Sequence, residues 1–287
     1  NYNFCDLIIV ADGEKAEFAA ELFQEEIEIR TGKKPPILKE KKDGCYVELR
    51  LADVSESEDF SVRQDGEKIT VTAHRLRSLI YGYSLFLRKC VIFDGGLVLT
   101  KDISGDYSPY MPIRGHQLSY TDMNNTYETW DDKQYERYIR DLMMFGTNTV
   151  EACLGDDEKH TELMKYSFEE ITKIKSQICE KLDIDFSIFC PYTKRLSDEE
   201  SSDYFCGCCH GIPKFNFYFP PGGDPGDLRA EEFFTRCKKI KSDLQKEFPN
   251  VQLWPSAQAP HQYADWGERF IKEMSKMPEE IDGLIYG

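Results

Sequence analysis

Two rhythms of apolar and polar positions divide the chain. In the first hundred residues, the apolar run Leu7-Ile8-Ile9-Val10 predicts a short buried strand. Phe18, Ala19, Leu22, Phe23, Ile27 and Ile29 then recur close to helical spacing, and Gly32 supplies a stop. Residues 46–51 alternate as a strand does. Segments 60–63 and 68–73 flank Asp65-Gly66, a strong hairpin signal. A helical pattern over 76–87 and a strand over 91–93 complete the order β-α-β-β-β-α-β, an α+β unit. Residues 101–112, with Gly105, Pro109 and Pro112, read as a linker.

After Pro112 strand and helix alternate. Strands are expected over 113–120, 148–153, 185–192, 215–220, 251–256 and 283–286, and helices over 131–145, 168–182, 230–248 and 266–277. Such alternation predicts a parallel sheet covered by helices. A (β/α)8 barrel needs eight strands, and the sequence stops right after the sixth. The expectation is an α/β chain with a small α+β domain over residues 1–108, and the N-terminal part of a TIM-type barrel over 109–287.

Composition narrows the function classes. The 287 residues carry a net charge of -16, which argues against a nucleic-acid partner, because phosphate binding wants a basic surface. No apolar run reaches the length that spans a bilayer. Ten cysteines are too few for a disulfide scaffold in a chain this long, and Cys90, Cys153, Cys179 and Cys190 fall inside expected elements, which leans towards a reducing compartment. The first residue is Asn1, and the sequence leaves open whether a signal peptide preceded it; the oligomeric state is likewise open.

The richest chemical signal is the run 214–227, an apolar strand ending in Gly222-Gly223-Asp224-Pro225-Gly226-Asp227. In parallel α/β folds ligands collect at the carboxyl ends of strands. Asp224 is therefore the first candidate for a catalytic carboxyl; its alternative is a helix cap or an Asx-turn. Asp227 is either a substrate contact or the cap of the helix that follows. Glu151, or else an acid beyond Gly287, is the candidate for a second carboxyl, and Glu151 either faces a barrel mouth or pairs with an arginine. Arg114, His116, Gln117 and Tyr120 lie on or beyond the first strand, and alternation sets Gln117 opposite the other three. Arg114 suits a bidentate grip on a carboxylate or vicinal hydroxyls; its alternative is a buried salt bridge to an acid such as Glu151. Tyr192, Gln258, His261 and Tyr286 sit at or after the ends of strands three, five and six. Trp254 and Trp266 could stack on a sugar ring or pack in the core. Cys206-Gly207-Cys208-Cys209-His210 offers soft ligands without the spacing of a zinc site, so it reads first as loop thiols, and no metal or other cofactor is expected.

Several phrases, in order, carry a resemblance: Ile9-Val10-Ala11-Asp12-Gly13-Glu14, Gly66-Glu67-Lys68-Ile69-Thr70-Val71, Ser78-Leu79-Ile80-Tyr81-Gly82-Tyr83, Pro112-Ile113-Arg114-Gly115, and Phe145-Gly146-Thr147-Asn148-Thr149-Val150-Glu151. The first part resembles the zincin-like domain that precedes the barrel in family 20 β-hexosaminidases and family 67 α-glucuronidases. The second part is similar to how those barrels open. The resemblance implies that Arg114 is the arginine ending the first strand and holding sugar hydroxyls, and that Gly222-Gly223-Asp224 is the Gly-Gly-Asp of the fourth strand. Pro225 stands where the general-acid glutamate of family 20 would follow. The implied activity is hydrolysis of a glycosidic bond in a hexosaminide- or uronide-like carbohydrate. The alternative is a carbohydrate-binding protein with catalysis lost at Pro225.

Overall fold

The computed structural model describes residues 1–118, 126–153, 164–189, 196–222, 228–258 and 263–285. The chain forms two compact units. One comprises residues 1–114 and 140–148, the other residues 115–139 and 149–287.

The first unit holds β1 (Tyr2–Asn3), β2 (Ile8–Ala11), α1 (Glu14–Thr31), β3 (Ile37–Leu38), β4 (Tyr46–Leu51), β5 (Phe60–Asp65), β6 (Lys68–Ala73), α2 (Leu76–Lys89), β7 (Cys90–Phe93), β8 (Gly96–Leu99) and β9 (Gly105–Tyr107). Six strands make one sheet in the order β3-β2-β4-β6-β5-β9, and β1-β8-β7 make a second. Strands β3, β2, β4 and β6 run parallel, while β5 is antiparallel to both β6 and β9. Val62, Val71, Leu49 and Ala11 lie across from one another in register and are all buried. A Cβ on Gly82 of α2 would fall 2.2 Å from Val71 Cγ1, so the helix sits close only because that residue is glycine. On α1, Ala16, Ala19, Leu22, Phe23 and Ile27 are buried, and Phe23 stacks on Tyr83 of α2 with ring centroids 4.8 Å apart. Ile29, expected on the same face, is 66% exposed.

The second unit holds β10 (Gly115–Leu118), a short 3-10 helix (Thr126–Thr129), β11 (Thr149–Cys153), α4 (Phe168–Lys181), β12 (Asp185–Phe189), α5 (Asp198–Cys209), β13 (Phe217–Tyr218), α6 (Ala230–Leu244), β14 (Gln252–Leu253) and α7 (Trp266–Met274); α3 (Asp132–Met143) contributes residues to both units. Strands β10 to β14 form a parallel sheet in sequence order. A parallel bridge between Ser256 and Ile285 adds a sixth position. Leu118, Val150, Ala152, Phe186, Ile188, Tyr218 and Leu253 are buried on one face of this sheet. That face meets helices: His116 lies against Tyr138 of α3, and Tyr218 against Phe205 of α5. A strand buried on both sides reads as a near-continuous apolar run; here the opposite face carries Gln117, Glu151 and Ser187.

Three sequence expectations change. The presumed linker contains β9, whose Gly105, Asp106 and Tyr107 pair with Val62, Ser61 and Phe60, so it closes the edge of the first sheet. The cysteine run is not a loop but the last turn of α5, which opens on a capping box between Ser197 and Glu200. The first parallel strand begins at Gly115, after Arg114, not at residue 113.

Candidate functional site

The central feature of the second sheet is a row of side chains in register on three adjacent strands. Gln117 pairs with Glu151, and Glu151 with Ser187. Residues directly opposite in a parallel ladder point to the same face, so the amide, the carboxyl and the hydroxyl are neighbours. Phe217 extends the row on β13. Its ring stacks on Phe219 at 5.3 Å and meets Trp254 edge-on at 6.3 Å.

Gln117 Nε2 donates to Glu151 Oε2 at 2.7 Å. Burial pushes the Glu151 carboxyl up to about 7 from its ordinary 4.5, against the Gln117 hydrogen bond and the nearby Ser187 hydroxyl, which both favour the charged form. Desolvation outweighs two neutral dipoles because a carboxylate taken from water loses several kcal/mol of hydration. The Ser187 Oγ itself is fully buried and makes no hydrogen bond of normal geometry. A carboxyl that titrates near neutrality can exchange a proton in either direction at neutral pH.

Strand β13 runs out through Phe219, Pro220 and Pro221 to Gly222. Its alignment with β14 continues past the short ladder, with Trp254 N donating to Tyr218 O and Ser256 N to Pro220 O, both at 3.0 Å. Gly222 has φ +67°, and a Cβ there would lie 2.3 Å from Ser256 O and 3.0 Å from Gln258 O. The glycine thus lets the turn after β13 press against the backbone at the end of β14. Gln258 has an exposed side chain, and its backbone N–H donates to Ser256 Oγ at 3.2 Å. Asp224 and Asp227 follow this turn and lie outside the described residues, as do Tyr120, Tyr192, His261 and Tyr286.

Two candidates from the first strand are displaced. The expectation that Arg114 ends that strand is corrected: it precedes the amino end of β10, and its guanidinium is engaged within the first unit. Nε donates to Gly146 O and Nη1 to Met111 O, both at 2.6 Å, and Nη2 pairs with Glu58. The pairing acid is Glu58, not Glu151. Glu58 also lies 3.0 Å from Arg77 Nε, and its Oε1 accepts from Asn148 Nδ2 at 2.9 Å. Asn148, 1% exposed, uses the rest of its amide on Pro112 O and on the backbone N–H of Arg114. His116 is corrected too: it lies on the helix-facing side of the sheet, with its Nε2 3.3 Å from Tyr138 Oη, while Gln117 is on the side of Glu151.

Sequence reasoning missed Ser187. The only signal was a polar residue at the centre of the apolar strand Phe186-Ser187-Ile188, and one serine is a weak signal until the register sets it beside Glu151. Trp266 is core, 1% exposed, its Nε1 donating to Leu228 O at 3.1 Å. Trp254 is half-buried, against Phe217 and over Gly283. Among the described residues no group of His, Cys, Asp and Glu is arranged to hold a metal ion. No helix among them is long and apolar enough to cross a membrane.

No family model matches the chain, and no curated protein matches its sequence. Its fold, however, resembles solved structures of family 20 β-hexosaminidases. A family 20 β-N-acetylhexosaminidase from Streptomyces coelicolor superposes with a TM-score of 0.71 at 12% identity, over 100% of this chain and 72% of that one. A variant of the Streptomyces plicatus β-hexosaminidase in complex with its product GlcNAc gives 0.72 at 14% identity, over 100% and 71%. A glycoside hydrolase family 138 enzyme targeting pectin rhamnogalacturonan II gives 0.64 at 13% identity, over 98% and 48%.

Proposed function

We propose that the protein is a glycoside hydrolase acting on a carbohydrate, with Glu151 as the proton donor and Asp224 as the second carboxyl. In this reading residues 1–108 are a zincin-like domain and residues 109–287 supply strand–helix repeats of a TIM-type barrel, with the row Gln117–Glu151–Ser187 on its inner side. The observation that carries the proposal is the carboxyl of Glu151, raised to about 7 and held at one oxygen by Gln117. Glycoside hydrolysis asks for one carboxyl that stays protonated long enough to protonate the leaving oxygen and a second that acts as base or nucleophile. The fold resemblance to hexosaminidases supports the substrate class. Gln258, beside the Gly222 turn, is the described candidate for a contact to substrate; Asp227, Tyr120, Tyr192 and Tyr286 remain candidates from the sequence alone.

A panel of aryl glycosides, N-acetylhexosaminides and glucuronides among them, tests the reading. Turnover of one of them that falls at least 100-fold (~3 kcal/mol) in Glu151→Gln and in Asp224→Asn is the expected result. Pro225, in the place of the family 20 acid, favours the second reading, a carbohydrate-binding protein on the same scaffold. Sugar binding without turnover of any glycoside would establish that reading instead.

A further inference from the structure

Ser187 is the feature of the second sheet that the proposed chemistry leaves unused. Its hydroxyl is fully buried and without a hydrogen-bond partner of normal geometry. A hydroxyl in that state loses its hydration without compensation, so its place in the core asks for a reason. Its register partner on β11 is Glu151.

The hydrogen bond from Gln117 favours one arrangement of a protonated Glu151. A neutral carboxyl has one oxygen that accepts and one that carries hydrogen. Gln117 Nε2 donates to Oε2, and the carbonyl oxygen is the better acceptor of the two, which favours the proton on Oε1. After Oε1 loses that proton, the carboxylate needs a new donor there. A serine hydroxyl can supply one by turning about a single bond, with no movement of the backbone. We infer that Ser187 is a positioning residue for Glu151: its hydroxyl turns to donate to the carboxylate left when Glu151 gives up its proton, while Gln117 keeps the other oxygen.

This inference takes its functional meaning from the glycosidase reading above. There the proton passes from Oε1 to the leaving glycosidic oxygen. The electron pair of the breaking C–O bond stays on that oxygen, which departs as a hydroxyl, and water finally fills the anomeric carbon and returns a proton to Glu151. Ser187 gives up no atom; it only reorients. The titratable groups on the same face of the neighbouring strands are Cys153 of β11 and Asp185 of β12, and β10 presents the neutral Gln117. His116 is turned to the helices. Burial is the largest influence on the Glu151 carboxyl, and the Ser187 hydroxyl acts against it. Removal of that hydroxyl therefore favours the protonated carboxyl.

The deciding measurement is a titration of the Glu151 side-chain carboxyl by carbon-13 NMR in the full chain, its resonance assigned from Glu151→Gln. Ser187→Ala is expected to raise the midpoint by about half a pH unit or more. Ser187→Thr, which keeps the hydroxyl, is expected to return it towards the wild-type value. Ser187→Cys, of similar volume but a weak donor, is expected to shift it upward as alanine does. An unchanged or lowered midpoint in both the alanine and the cysteine variants overturns the inference. On a glycoside that turns over, the alkaline limb of kcat should move up with the midpoint at unchanged KM. Absence of all turnover would remove the glycosidase reading and leave the titration to decide the role of Ser187.

Discussion

Gln117 and Glu151 face each other in register on adjacent parallel strands, and the amide of the first holds one oxygen of the second at 2.7 Å. The amide is neutral, so it orients the carboxyl without supplying a counter-charge, and burial decides the titration. Glu151 should therefore weigh on stability as pH rises. Its folded value, about 7, lies above its ordinary 4.5, so between these values the folded state binds the proton that the unfolded state has lost. Stability falls across that window by up to about 3 kcal/mol. In Glu151→Gln this contribution disappears, and the variant is expected to gain on the wild type as pH rises from 4.5 to beyond 7. Urea denaturation at a series of pH values measures the difference; parallel curves would refute it.

Lys175 of α4 is fully buried, donates to Leu118 O at 3.2 Å, and stands over the Tyr135 ring at 5.0 Å. Burial, the largest cause, brings its ammonium down to about 8 from 10.5. The sign is opposite to that of Glu151. Between pH 8 and 10.5 the unfolded chain holds a proton that the folded chain does not, so stability attributable to this residue rises with pH. Below pH 8 the burial costs about 3 kcal/mol. Lys175→Met should remove the slope and be neutral or stabilising at pH 7, because methionine fills the space without a charge. The stability of Lys175→Met relative to the wild type, followed by denaturation from pH 7 to 10.5, should fall.

Glu58 gathers Arg77, Arg114 and Asn148 inside the first unit. The Arg77 side chain is 5% exposed and that of Arg114 22%. Loss of the shared acid leaves Arg77 as a charge short of its carboxylate in the interior. Glu58→Gln should cost about 3–5 kcal/mol. A double-mutant cycle should assign Arg77 a larger coupling to Glu58 than Arg114, since burial weakens screening. Equal couplings would contradict this account.

Gly222→Ala places a methyl carbon against the carbonyl oxygen of Ser256 and requires a left-handed backbone from alanine. Neither can relax at the end of a flexible side chain, so a loss of about 2–4 kcal/mol is expected. Gly66→Ala, with φ +60° but open space around its Cβ, is the control and should cost less. Thermal melts of both variants compare them directly.

The sequence by itself determined the alternation of strands and helices and one hairpin turn, because these depend on periodicity and on which residues tolerate a given backbone. Asp65-Gly66 marked the β5–β6 hairpin, and the apolar spacing on α1 marked its buried face except at Ile29. The signals for α5 and for the β7–β8 hairpin were present in Ser197/Glu200 and in Asp94-Gly95, yet the cysteines and short strands obscured them. What only the tertiary structure decided was partnership. Arg114 suits a carboxylate wherever it lies, but the fold brings it Glu58, 56 residues away in sequence, instead of Glu151. Ser187 is an ordinary serine until three strands align it beside Glu151 and Gln117. Local pattern fixes which face a side chain takes within its own element, whereas the neighbours that shift its proton come from register between strands far apart in the chain.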